Sequence, residues 1–354
     1  TIEFFAGSGD SQVHKVLMDA RQTSVAVPAG TAAYKINCGQ TGFFRVRYHD
    51  TQNLEKLGQM VTDGTLDPQD RWGLQDDLFS QVRSGELGFG DYLDFLAAYR
   101  EETSYLVLTS IATNLALAYH VLSGSWPAKI EAFARPWYKG ILNRIGCLPA
   151  EGEPQTTAIL RDQLLWEAIR FGSVELAGFA TEQFAKLTGG GQVHPDIMKS
   201  VMQAGAHAGN AATLDWFARR FETTTVEHER MNILTAMGSF TAKQQIAAVG
   251  RYILEKVPPR NKFVPAMALA ENPRAAGFLW QWYRENLNQL EQIHPMIYER
   301  VIAAVVSAAG LDNPGVVERF FTAYMEKNAR AKDVISLSLE RLKIGLRMRA
   351  KNIG

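Results

Sequence analysis

The sequence predicts an all-α chain: an irregular HEAT/armadillo-like superhelix of antiparallel helix pairs, preceded by a short β-sandwich remnant. Two observations carry most of this. Apolar residues alternate along residues 1–48, whereas from residue 49 onward they recur at three- and four-residue steps. The connections between the helical stretches are also short, which makes neighbouring helices antiparallel. The expected organisation is therefore part of a small β-sandwich over residues 1–48 and a helical-repeat domain over 49–354.

The β lead-in reads as four short strands. Ile2 and Phe4, then Val13, Lys15 and Leu17, alternate as a half-buried strand does. Ser24 to Val27 ends at the turn signal Pro28-Ala29-Gly30. Ala33 to Asn37 and Phe43 to Tyr48 flank Gly39-Gln40-Thr41-Gly42, which reads as a hairpin turn.

The helical part shows one apolar stripe after another. Leu108, Ile111, Leu115, Tyr119 and Leu122 form one, and Ile130, Phe133, Trp137 and Ile141 the next. Leu160, Leu164, Ala168 and Phe171 follow, then Leu176, Ala180, Phe184 and Leu187, and near the end Ile335, Leu339, Leu342 and Leu346. Gly189-Gly190-Gly191 stops one helix, while Pro195, Pro295 and Pro314 suit first turns. Thr241 with Gln244 matches a capping box. Roughly fourteen to sixteen helices are expected, with no strict repeat period.

Composition removes several function classes. The 354 residues carry 37 basic and 37 acidic side chains, a formal net charge of +0. A nucleic-acid binder needs a phosphate-neutralising surplus, so none is expected. The basic run from Arg341 to Lys351 reads as a solvated helix end that complements its own dipole. No apolar run reaches the roughly 18 residues of a membrane span. Two distant cysteines, Cys38 and Cys147, make no disulfide framework, and we expect a cytoplasmic protein. Residues 1–10 lack the basic lead and long apolar stretch of a signal peptide, and Thr1 stands inside a strand-like run. The expectation is a piece of a longer protein.

Motifs for catalysis are missing. The only His-Glu dipeptide is His228-Glu229, and the position four residues after His228 is Asn232, so two imidazoles cannot face one metal from one helix face. There is no Cys-x-x-Cys, no phosphate loop and no nucleophile elbow. The adjacent carboxylates Asp76-Asp77 and Glu101-Glu102 point about 100° apart on a helix and read as solvated faces or caps. Phe278, Trp280, Trp282 and Tyr283 read first as packing between two helices and second as an aromatic wall facing a peptide. No catalytic residue, metal ligand or cofactor is expected in this chain.

Several blocks are more specific. Lys35 to Tyr48, with Gly42-Phe43-Phe44-Arg45-Val46-Arg47-Tyr48, resembles the segment that opens the helical domain in zinc aminopeptidases of the aminopeptidase N and puromycin-sensitive family. Phe44 and Arg47 stand where that family usually has Tyr and Asn. Asp70-Arg71 with Leu74, Asp77 and Phe79 resembles its Asp-Arg-x-x-Leu-Ile-x-Asp-x-Phe run. Glu271-Asn272-Pro273-Arg274 followed by Trp280 resembles its Asn-Pro block, and Leu339-Glu340-Arg341 its last long helix. The blocks keep their order over nearly the whole chain.

The resemblance implies a division of labour. Zinc and the His-Glu-x-x-His helix belong to a catalytic domain of the parent protein, which becomes this chain's partner. The helical domain would enclose the active-site cavity and help select peptide substrates. It also implies peptide-contact residues: Tyr119-His120 match a Tyr and basic residue that some relatives use at the peptide C-terminus, and Glu271 replaces a basic residue. Gly42, Arg45, Asp70, Arg71, Asn272, Pro273 and Trp280 would be structural. The rival reading is a free-standing HEAT-like scaffold for protein partners. A His-Glu-x-x-His motif encoded upstream would separate the two.

Overall fold

A computed structural model describes residues 1–353. Among them are seventeen α-helices and three strands, so the chain is all-α apart from its N-terminal sheet. By internal contacts it divides into two compact units. One holds residues 1–117 together with the last residues from Ala350 onward, and the other runs from Ala118 to Arg349.

The first unit begins with an antiparallel sheet, β1 (Ile2–Ala6), β2 (Ser11–His14) and β3 (Thr31–Ile36), in the order β2-β1-β3. Ile2 lies opposite both His14 and Ile36. Then come α1 (Thr51–Thr62), α2 (Pro68–Ser84), α3 (Phe89–Phe95) and most of α4 (Tyr105–Val121).

Two of the four expected strands do not form, and the Gly39–Gly42 hairpin is not there. Ser24 to Val27 has no ladder partner, and Phe43 to Tyr48 is irregular. The reason lies at the free edge of β3, which α1 covers. The Tyr34 N–H donates to Asn53 Oδ1 at 2.8 Å, Asn53 Nδ2 donates to the Tyr34 carbonyl at 2.9 Å, and Lys56 Nζ donates to the Ala32 carbonyl. The Tyr48 hydroxyl takes the Ile36 N–H at 2.9 Å. With those edge groups satisfied, a fourth strand has little left to pair with. The expected hairpin turn is instead a single 3-10 turn at Cys38–Gln40, entered through Asn37 in the left-handed region at φ 57°.

The second unit is a two-layer stack. It contains α5 (Trp126–Ile145), α6 (Gln155–Arg170), α7 (Val174–Thr188), α8 (Met198–His207), α9 (Ala211–Thr223) and α10 (Glu227–Met237). It continues with α11 (Lys243–Glu255), α12 (Phe263–Ala270), α13 (Ala276–Glu285), α14 (Leu287–Leu290), α15 (Pro295–Gly310), α16 (Pro314–Lys327) and α17 (Lys332–Lys351). Helices α6, α8, α10, α12 and α15 pack in succession as one layer. Helices α7, α9, α11, α13 and α16 form the second, through ring contacts such as Phe184 on Trp216 and Trp280 on Phe320. The predicted stripes supply the core: Leu164, Ala168, Phe171 and Ala180 are fully buried.

A repeat that is faint in the sequence is visible in the bonding. Side chains reach main-chain carbonyls about one helix pair back: Thr241 to His207, Tyr252 to Ala218, Trp282 to Gly250 and Asn272 to Gly238. Each link binds one pair to the pair before it, as stacked repeats require. This also corrects the expected capping box at Thr241. Its hydroxyl donates to the His207 carbonyl at 3.1 Å, and the N-cap position of α11 falls on Ala242. A capping box is formed elsewhere, by Asn210 and Thr213 at the start of α9.

Trp280 is only 8 % exposed, stacks on Tyr283 and packs against Phe320 and Phe321. Trp282 and Tyr283 are buried beside it. The aromatic cluster is therefore core between α13 and α16.

Candidate functional site

The C-terminal ends of successive first-layer helices meet around a cavity of about 250 Å³ in the second unit. Arg170 is the last residue of α6 and His207 the last of α8, and Gly238 and Glu271 directly follow α10 and α12. All four line the cavity, as does Tyr119 from the last turn of α4. The repeat explains why these ends coincide. Asn272 Nδ2 donates to the carbonyls of Gly238 at 2.9 Å and Phe240 at 2.7 Å, fixing the end of α12 against the end of α10. Gly238 lacks a side chain where one would run into Ala268, so the helix ends can close up.

Helix C-termini carry partial negative charge and favour cations, and Arg170 and His207 supply basic groups in those last turns. The Arg170 guanidinium lies over the Tyr119 ring at 5.6 Å and is paired with Glu167 at 2.9 Å. Beyond that ion pair, Arg170 Nε is buried without a hydrogen-bond partner. Gln203 is 6 % exposed and its Oε1 is likewise unpartnered. Buried polar groups are normally satisfied, so such orphans mark a place where something else can bind.

Tyr119 donates to Glu131 Oε1 at 2.9 Å, and its pKa is pushed up to about 12, first by burial and then by that carboxylate. Burial raises the pKa of Glu271, only partly offset by Arg170 and Lys199. The Glu271 side chain nevertheless remains open to solvent at the cavity mouth. His207 stands edge-on to Trp166 at 5.9 Å, and its pKa is lowered by burial and by Arg274 and Arg170.

The three predicted contact residues are placed as follows. Tyr119 and Glu271 line this same cavity. His120 faces an adjoining cavity of about 400 Å³, whose wall shares Tyr119 and Pro273 with the first and adds Asp312 and Arg349. Its Nδ1 is buried without a partner, and its pKa is pushed down to about 4 by burial, then by Arg170 and Arg349. Sequence reasoning did not single out Arg170, Gln203 or His207. A signal was present, because Arg170, His207, Thr241 and Arg274 recur about 35 residues apart, the length of a helix-pair repeat.

Most of the motif residues elsewhere make local bonds. Asn37 brackets Gly42, accepting its N–H at 2.7 Å and donating to its carbonyl at 3.1 Å. Arg45 pairs with Asp76 and Asp77, and Asp77 is buried rather than solvated. Both Asp70 oxygens accept the Gly39 N–H, at 2.9 and 3.0 Å, with buried Lys35 3.5 Å away. Arg71 makes a two-pronged pair with Glu102 at 2.7 and 2.9 Å, and Glu102 also accepts the N–H groups of Thr103 and Ser104, just before α4.

Among the described residues one group of potential metal donors converges: Glu3, Cys38 and Asp70. Its donors are spent on local bonds. Burial and the neighbouring carboxylates push the Cys38 thiol up to about 12, and it donates to Glu3 at 3.1 Å. Asp70 is already engaged by Gly39 and Lys35. Among the described residues no helix is long and apolar enough to cross a membrane.

The sequence model described as the ERAP1-like C-terminal domain matches residues 33–344. Aminopeptidase 2 of Candida albicans is 24% identical over 336 residues, covering 90% of this chain and 36% of the relative. Aminopeptidase M1 of Arabidopsis thaliana is 25% identical over 333 residues, covering 89% and 37%. Endoplasmic reticulum aminopeptidase 2 of Homo sapiens is 22% identical over 298 residues, covering 81% and 30%. The chain thus spans about a third of the length of these curated relatives.

Proposed function

This chain belongs to the ERAP1-like C-terminal domain family, and on that premise we propose that it is the non-catalytic C-terminal part of a zinc aminopeptidase. In this reading it encloses the catalytic chamber and helps select the peptides whose N-terminal residues the parent removes. Its partner is the parent's own catalytic domain, and zinc belongs there. Glu3, Cys38 and Asp70 are engaged in local bonds, and in this reading no step of hydrolysis runs through this chain.

The observation that carries the reading is the polar cavity at the helix ends, with Tyr119 and Glu271 on its wall and buried donors and acceptors left open. A peptide end or side chain would complete those bonds. Glu271 sets the preference: an unpaired carboxylate repels a nearby peptide carboxylate. In the full-length parent, Glu271→Arg is expected to shift kcat/KM toward peptides with free C-termini over their amidated forms by about ten-fold. An unchanged ratio would remove Glu271 from substrate selection. The isolated chain is expected to hydrolyse no aminoacyl reporter amide above background, with or without added zinc. Chelator-sensitive turnover that co-purifies with one zinc per chain would overturn the proposal.

A further inference from the structure

The cavity offers charged groups of both signs. On the positive side, Arg170 lines the wall, shared with Glu167 at 2.9 Å, and the exposed Arg274 makes no ion pair. On the negative side, Glu271 has no ion pair, and Gln203 Oε1 is buried with no donor. The space is about 250 Å³, and its wall includes Trp166 and Tyr119.

Each kind of ligand can be weighed against those groups. A simple anion would serve the arginines but would face Glu271 and the partial negative charge of the converging helix ends. A simple cation would serve Glu271 and Gln203 but leave Arg274 without a counter-charge. A long peptide segment needs more volume than this recess holds. A small molecule with an ammonium beside a carboxylate answers both sides at once, and an uncharged side chain would lie on the aromatic wall. We infer that this cavity binds a free α-amino acid as its zwitterion, with the carboxylate on Arg170 and Arg274, the ammonium on Glu271 and Gln203, and an apolar side chain against Trp166 and Tyr119.

The binding claim rests on the cavity alone. Its link to catalysis rests on the proposed function: N-terminal hydrolysis of peptides releases free amino acids, so the site would sense that reaction's product. No covalent step is involved.

The test uses the chain as it stands, so it does not depend on the parent's activity. L-leucine is titrated into the protein by calorimetry, with Trp166 fluorescence followed in parallel. L-leucinamide, which keeps only the ammonium, and N-acetyl-L-leucine, which keeps only the carboxylate, are the two controls. Leucine is expected to bind, and each control about ten-fold more weakly or worse. Glu271→Gln and Arg274→Gln alter exposed side chains and leave the fold intact by circular dichroism, and each should weaken leucine about ten-fold. Either control binding as tightly as leucine overturns the inference, as does either variant leaving the affinity unchanged. Absence of binding up to about 10 mM leucine also overturns it.

Discussion

Two polar clusters in this molecule look alike in composition and differ in bookkeeping. Around α2, the lysine, asparagine, aspartate and arginine side chains mostly meet their match. Lys35 donates to the Ile36 carbonyl and faces Asp70, Asn37 closes on Gly42, and Tyr92, Asn114 and Ser110 all converge on Gln75. At the ends of α6 and α8 a similar mix of polar groups leaves Arg170 Nε and Gln203 Oε1 with open bonds. Satisfied networks fix a fold, and unsatisfied ones are held for something else. The motif blocks that carry the family resemblance lie largely in the first kind. In the proposed function, the selective chemistry lies in the second.

Substitutions can break or sharpen that contrast. The largest loss is expected in the aromatic core, which sets the scale for purely structural damage. Trp280→Ala should cost about 3–5 kcal/mol in chemical denaturation, and a loss under about 1 kcal/mol would place Trp280 on a working surface. Asp70→Asn tests the closed network. It leaves the buried Lys35 ammonium without its counter-charge, and should cost about 3 kcal/mol. A cost near zero would mean that the network around α2 is as tolerant as the cavity.

A smaller effect is expected at His120, which is held neutral. Its folded pKa of about 4 lies below the ordinary 6.5. The unfolded chain therefore binds the proton more readily, and stability is full above pH 6.5 and falls as pH drops toward 4. The loss should be about 1–3 kcal/mol, and His120→Gln should flatten that part of the pH profile. Equal slopes for variant and wild type would show that His120 is as accessible in the fold as out of it.

Glu271 should give the smallest change, with the opposite sign. Its folded pKa is raised, so the folded state disfavours the ionised form, and stability falls as pH rises through that pKa. Glu271→Gln removes that cost and should stabilise slightly at pH 7, by less than about 1 kcal/mol for so open a side chain. The gain should vanish in acid, once the wild-type carboxyl is protonated. A clear destabilisation at pH 7 would put Glu271 in the closed class.

Much of the fold was written along the chain. The apolar stripes through Leu164, Ala168 and Phe171, the glycine stop after Thr188 and the prolines at 195, 295 and 314 each act through neighbours within a turn or two. Helical periodicity and first-turn proline need no knowledge of distant partners. The expected strands on either side of β3 failed for the opposite reason. Ser24 to Val27 and Phe43 to Tyr48 have strand-like patterns, but a strand needs an open edge, and Asn53 and Lys56 of α1 had taken the one on β3.

The same division holds for the site. The sequence by itself excluded a zinc helix from residue type and short spacing, and it placed Tyr119 and Glu271 as residues of interest only through the family resemblance. Only tertiary structure decided that Arg170, Gln203 and His207 belong with them. They come together because helix pairs stack at a near-constant length, held by bonds such as Thr241 to His207 and Asn272 to Gly238. Tertiary structure also decided which polar groups stay unpaired. A sequence displays every donor and acceptor but not their distances, and it is those distances that close the network around Asp70 and leave the cavity at Glu271 open.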